Sequence, residues 1–367
     1  MVLKNINTIN IGNIKEIADE FLNYFIAKEY VLCAPEPIIP TIDKTIAFTN
    51  ATIVPLKPLF TKPYNQPGFV VYQPCVRLWN ITNNDFEGSF TSFFRMLSIL
   101  VHPSVKTDEI LKEIFEYIEN VLNISADKII IHSNSLTNDL VGDLYKKYKV
   151  IQDKFNDKFY KWSYGINGVT GRGVTIFVDS NGKSRELGNF VQISKDNKII
   201  GYEFGLGIES YIGIKKGYQN NFDILFGKNI NKKLLDITCI RGVIEHALKK
   251  NSKKISGTTK SSIRKVNSEL VYAICNFQNG DCSYIKNINW SLMDVEIETI
   301  DSLIPFLEEK IRKVKIDIKL LIDYKIYINR MIKLGKSEAW GNKKIANYIR
   351  KNNYQRVVGL INKNIFL

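Results

Sequence analysis

The sequence predicts an α+β fold, an antiparallel sheet with helices packed on it, followed by a mostly helical region. Three observations predict it. In the first 230 residues, segments rich in β-branched and aromatic residues arrive mostly as hairpins, with helical stretches between them. Beyond residue 230, apolar residues recur three and four apart. The charge divides at the same place: residues 1–230 carry 25 Lys and Arg against 24 Asp and Glu, whereas residues 231–367 carry 26 against 13.

The elements follow in order. Asn13 with Glu16 three residues on reads as a helix start, and Ile14, Ile17, Ala18, Phe21, Leu22 and Phe25 continue at helical spacing. After Pro35–Pro40 the composition predicts strands over Thr45–Val54, Gly68–Trp79 and Thr91–Val101. A helix is expected over Thr107–Leu122 and a short strand over Lys128–His132. Val174–Asp179 and Asn189–Ile193 read as strands around a Ser180-Asn181-Gly182-Lys183 turn, and Lys195-Asp196-Asn197-Lys198 turns into a strand ending near Phe204. In the C-terminal region a long helix is expected over Ile304–Leu334. Ile304, Leu307, Ile311, Val314, Ile318 and Leu321 form its apolar stripe, and Gly335 is placed to cap it. Two domains are thus expected, 1–230 and 231–367.

Composition narrows the function classes. At 45% hydrophobic and 24% charged, the chain is ordinary for a globular protein. It lacks the run of roughly 18 apolar residues that would suggest a membrane span. Met1–Ile6 lacks the basic-then-apolar pattern of a secretory signal. A cytoplasmic protein with no membrane partner is the expectation. Five cysteines (Cys33, Cys75, Cys239, Cys275, Cys282) and three histidines are scattered without metal-ligand spacing, so buried thiols and no bound zinc are expected. The net charge is +14, nearly all of it C-terminal, which points to a polyanionic partner such as nucleic acid ahead of a merely solvated lysine-rich helix face.

Three stretches carry motif-like spacing. The first is Phe48-Thr49-Asn50-Ala51, with Lys57 and Phe60 after it. The second is Gln73-Pro74-Cys75-Val76-Arg77, with Ser92-Phe93-Phe94-Arg95-Met96-Leu97 following after a loop. The third runs from Trp162 through Gly165, Gly168 and Gly171 to Ile176, Phe177 and Asp179, and leads on to Glu203-Phe204-Gly205-Leu206-Gly207-Ile208-Glu209. In this order and spacing they resemble the catalytic core of the alanyl-tRNA synthetases, over roughly residues 14–215. The chain looks like a divergent, cut-down relative, with no stretch resembling the family's zinc-binding editing domain or its later oligomerising segments.

The resemblance implies a class II synthetase fold and an ATP- and Mg²⁺-dependent ligase of protein biosynthesis. It implies that Arg77 binds the ATP α-phosphate and the amino-acid carboxylate. A guanidinium suits that place because its rigid fork meets two anionic groups and stabilises the charge that builds as carboxylate attacks phosphorus. Phe94, Gly205, Gly207 and Glu209 are implied ATP contacts; Trp162, Glu203 and Asn189 are implied amino-acid contacts. The departures are also specific. The family's Asp that grips the α-amino group is Glu203 here, its second-motif Glu is Arg95, and its γ-phosphate arginine is Ser210.

The expected function is therefore activation of a small, alanine-like amino acid and transfer to tRNA, with a carrier protein or small amine as other acceptors. The basic 231–367 region would dock the acceptor stem, with Lys315 and Lys319 on its long helix as RNA contacts. Class II cores often pair, so a homodimer belongs among the implied partners. The other reading is a non-catalytic relative that binds RNA or a partner protein as a regulator.

Overall fold

A computed structural model describes residues 11–60, 64–82, 90–154, 157–180, 182–218, 220–226 and 231–362. Met1–Ile6 and Asn181, used in the sequence reading, lie outside these. The chain divides into two compact units, one of residues 1–230 with 253–259 and one of 231–252 with 260–367.

The first unit is built on one sheet. Its described strands are β1 (Val31–Leu32), β2 (Gly68–Val76), β3 (Phe93–Val101), β4 (Ile129–Asn134), β5 (Lys149–Asp153), β6 (Lys161–Ser163), β7 (Val169–Ser180), β8 (Lys183–Lys195) and β9 (Lys198–Gly207). They lie in the order β1-β2-β3-β9-β8-β7-β4-β5, with β6 added to β7. Strands β2-β3-β9-β8-β7-β4 are antiparallel, as the hairpin signals predict. The pairs β1–β2 and β4–β5 are parallel, so the sheet is mixed. Gly173 has a structural reason: a Cβ there would sit 2.2 Å from the Phe190 carbonyl oxygen across the β7–β8 ladder.

Helix α1 (Ile11–Ile26) contains the expected Asn13 and packs on β2 and β3. Its Phe21 meets Tyr117 edge-on and its Phe25 meets it at a tilt, at 5.2 and 5.6 Å between ring centres. The expected strand Thr45–Val54 is absent. Instead a short helix α2 (Ile53–Leu56) runs into a 3₁₀ turn (Lys57–Phe60). All four α2 residues are buried. Pro55 fits the first helical turn, where its missing N–H costs no bond. With α3 (Trp79–Thr82), α4 (Thr107–Glu116), α5 (Asn138–Val141), α6 (Ile208–Lys216) and α7 (Asn221–Phe226), these helices flank the sheet. Ile53, Leu56 and Phe60 pack with Val71, Leu100, Val191 and Ile193 in one core beneath the cavity described below.

The second unit is helical: α8 (Lys232–Lys250), most of α9 (Gly257–Gln278), α10 (Ile297–Lys333), α11 (Glu338–Asn352) and α12 (Gln355–Asn362). Helix α10 starts seven residues before the expected Ile304 and carries Pro305 inside it. The extension follows from burial of Ile300 and Leu303, which anchor the turns before the proline. Its end is as expected. Gly335, at φ +100°, and Lys336 donate to Ile332 and Met331, the two paired bonds of a Schellman cap. Tyr324 stacks on Tyr348 at 4.0 Å between ring centres, holding α11 against α10. No described helix is long and apolar enough to cross a membrane.

Candidate active site

Period-two alternation sets the floor of a cavity of about 860 Å³ in the first unit. Along β9, Glu203, Gly205 and Gly207 share one face. On β3 Phe94 and Met96 line the same cavity, and on β8 so do Asn189 and Val191. The volume lies in the range of small-molecule sites. A Cβ at Gly205 or Gly207 would meet nothing closer than 3.5 Å, so the protein's own packing does not demand these two glycines. They leave the cavity floor open to a ligand lying against the backbone.

Arg77 follows β2 directly and turns its side chain into the cavity. Its Nε donates to the Asn50 carbonyl at 2.8 Å, and its guanidinium lies 4.8 Å from the Phe94 ring centre and 5.2 Å from that of Trp79. The two rings and the backbone bond fix the fork without using up a carboxylate. Burial lowers its pKa, and the charges of Glu186 and Glu203 act against that shift.

Glu203 sits at the same cavity. Its Oε1 accepts from Thr52 Oγ1 at 3.2 Å and Ser98 Oγ at 3.4 Å. Burial pushes its pKa up to about 7, against the pull of Thr52, Ser98, Tyr164 and Arg77. Trp162, on the edge strand β6, is half-buried and packs on the apolar cluster under the cavity. Asn189 accepts from Thr175 at 2.8 Å and donates to Glu186 Oε1 at 2.9 Å.

Glu186 is a cavity residue that sequence reasoning missed. Burial raises its pKa, countered by Asn189 and Arg77. Strict alternation would put it on the face opposite Asn189. A bulge intervenes: Ile176 pairs with Gly188 and Phe177 with Glu186, so Leu187 is the extra residue and the strand re-aims.

Glu209, in the first turn of α6, lines the cavity, but both its oxygens are engaged. It accepts from the Arg95 backbone N–H at 2.9 Å and from Arg95 Nη1 at 3.0 Å. Arg95 is out of phase with Phe94 and Met96 and is fully buried. Ser210 also lines the cavity. The structure thus brings together Arg77, Phe94, Trp162, Asn189 and Glu203 with Gly205, Gly207 and Glu209. Lys315 and Lys319 belong to the second unit, where both are exposed on α10.

The family model for tRNA synthetases class II (A) matches residues 16–200, half of the chain. The chain belongs to the class II tRNA synthetase family. Its mixed sheet with flanking helices is that family's fold, joined here to a helical C-terminal region. Among curated proteins, this class II chain is 27% identical over 244 residues to an alanine–tRNA ligase of Legionella pneumophila (strain Lens), covering 57% of this chain and 28% of that one. It is 27% identical over 261 residues to the alanine–tRNA ligase of Aliarcobacter butzleri (strain RM4018), covering 61% and 30%. The chain therefore spans less than a third of the length of these relatives. A solved aspartyl tRNA synthetase from Entamoeba histolytica aligns at 11% identity and a TM-score of 0.39, covering 60% of this chain and 58% of that one.

Proposed function

We propose that this class II chain activates a small amino acid as its adenylate and passes the aminoacyl group to tRNA or another acceptor. The observation that carries the reading is the pair Arg77 and Glu203 facing one cavity. A guanidinium and a carboxylate there match the two ends of an amino-acid zwitterion. Glu203 would hold the ammonium and Trp162 would wall the side chain. Arg77 would bridge the amino-acid carboxylate and the α-phosphate.

In the step proposed, a carboxylate oxygen attacks the α-phosphorus, the acyl–phosphate bond forms, and pyrophosphate leaves with the electrons of the broken P–O bond. Arg77 is already oriented by Asn50, Phe94 and Trp79, so it meets the growing charge without reorganising. Positioning the two reactants supplies much of the remaining acceleration. ATP would lie against the floor that Gly205 and Gly207 leave open. Mg²⁺ would supply charge neutralisation on the phosphates, and such an ion needs only one or two protein carboxylates beside them. Glu186, which keeps an oxygen beyond the one that accepts from Asn189, would share it, because Glu209 is bound to Arg95 and Glu203 would hold the ammonium.

Two observations favour a second reading, a regulator that binds without catalysis. Ser210 stands where the family has its γ-phosphate arginine, and Arg95 closes off Glu209. ATP–pyrophosphate exchange, run against each amino acid in turn, separates the readings. A signal with one amino acid supports activation and names the substrate, and silence with every one supports the regulator.

A further inference from the structure

Helix α10 carries two apolar stripes on opposite sides. The inward stripe, including Leu307, Ile311, Ile318 and Leu321, is buried. The outward stripe is Ile316, Leu320 and Tyr327, with Leu334 following them at the C-cap; they are exposed by 53, 46, 54 and 71%. At about 100° per residue, steps of four, seven and seven keep these side chains within an arc of about 40°. They run about 27 Å along the axis. Single exposed apolar residues need no explanation, but an aligned series on one helix face marks an interaction surface. The exposed charges along the stripe are Arg312, Lys313, Lys319 and Arg330, with Glu309 and Asp323 the acids among them.

We propose that this face docks an amphipathic helix of a partner protein, one with an apolar edge and acidic flanks. Charge selects that occupant. A second copy of this chain would set cationic flanks against cationic flanks, which costs rather than stabilises. RNA phosphates could use Lys315 and Lys319 at one edge of the face, yet its centre is aliphatic Ile316 and Leu320, which offer phosphate nothing. An acidic amphipathic helix satisfies both parts, burying its apolar edge on the stripe and pairing its carboxylates with the flanks. This inference stands on the surface alone and does not depend on adenylate formation.

The test uses the full chain and two labelled synthetic helical peptides with the same apolar edge, one flanked by Glu and one by Lys. Fluorescence anisotropy should show binding of the Glu peptide, at least tenfold tighter than the Lys peptide. Affinity should fall tenfold or more for the Ile316→Ser/Leu320→Ser variant, and the Arg312→Glu/Arg330→Glu variant should reverse the peptide preference. Unchanged circular dichroism and melting of the variants would confirm that the fold is intact. Failure of both peptides to bind, or equal binding of both, overturns the proposal. So does concentration-dependent self-association in ultracentrifugation that Ile316→Ser/Leu320→Ser abolishes, since the occupant is then a second copy. Loss of tRNA binding in that same apolar variant overturns it as well, because the face is then an RNA site.

Discussion

Arg95 and Glu209 form an ion pair at 3.0 Å with both side chains out of contact with solvent, 0 and 1% exposed. The Arg95 backbone N–H supplies a second bond to the same carboxylate, so β3 and the first turn of α6 are tied at two points. A buried pair of this kind adds little over a well-packed apolar pair, but breaking it strands a charge.

Arg95→Ala should therefore destabilise the protein by about 3–5 kcal/mol in denaturant unfolding, since Glu209 keeps its buried charge without the guanidinium that neutralises it. Arg95→Met combined with Glu209→Gln should recover most of that loss. A double variant as unstable as Arg95→Ala alone would show that the pair's contribution is packing rather than charge.

Arg77→Ala should lower ATP–pyrophosphate exchange a hundredfold or more, the effect of losing a charge-assisted contact made at the reacting centre. Arg77→Lys should recover little. An ammonium lacks the planar fork that stacks between Trp79 and Phe94 while donating to Asn50. Wild-type exchange in either folded variant would remove Arg77 from the mechanism.

Most of the cavity is legible in the sequence because it is written at period two. Glu203, Gly205 and Gly207 fall on one strand face, and Phe94 joins them from β3 by the same rule. The exceptions each have a local cause. Ile46, Thr49, Thr52, Ile53 and Val54 are good strand formers, yet Ile53–Leu56 is helical because all four side chains find core burial there, which outweighs propensity. Glu186 is hidden by the bulge at Leu187, and spacing alone gives no sign of it beyond the neighbouring Gly188. The outward stripe on α10 is hidden differently. Its residues interleave with lysines and arginines, so the sequence reads as one apolar face and one charged face, whereas the helix has two apolar stripes.

Glu203→Gln should separate stability from function. Its folded pKa, near 7, lies above the ordinary carboxylate value of 4.5. The folded state therefore holds a proton that the unfolded state gives up between pH 4.5 and 7. Stability must fall as pH rises through that window, and the full cost is present above pH 7. Removing the charge should stabilise the protein at pH 8 by about 1–3 kcal/mol, and by almost nothing near pH 4.5. The same variant should raise the amino-acid KM far more than the ATP KM, because only the ammonium uses this carboxylate. In the wild type, amino-acid binding should strengthen as pH rises through 7. Urea melts at the two pH values and KM against pH decide it. Equal KM effects on both substrates would make Glu203 structural.

Lys315 and Lys319 offer a prediction in the C-terminal region, where 26 Lys and Arg stand against 13 Asp and Glu over residues 231–367. Both side chains are exposed on α10. A-form RNA presents a wide, shallow minor groove and dense phosphates, so a basic helical surface can bind it by shape and charge. Each contact with a phosphate releases condensed counterions, and affinity should fall steeply between about 50 and 200 mM salt. The Lys315→Glu/Lys319→Glu variant should weaken tRNA binding and flatten the slope of log K against log salt by roughly 2, one for each lysine. Pyrophosphate exchange should not change, since every cavity residue named here belongs to the first unit. Filter binding across a salt series gives the slope, and exchange on the same preparations gives the control. An unchanged slope would place the RNA contacts elsewhere among the basic residues. Aminoacyl transfer to a small amine that ignores the reversed charges, with transfer to tRNA equally untouched, would move the acceptor from RNA to an amine used in amide-bond synthesis.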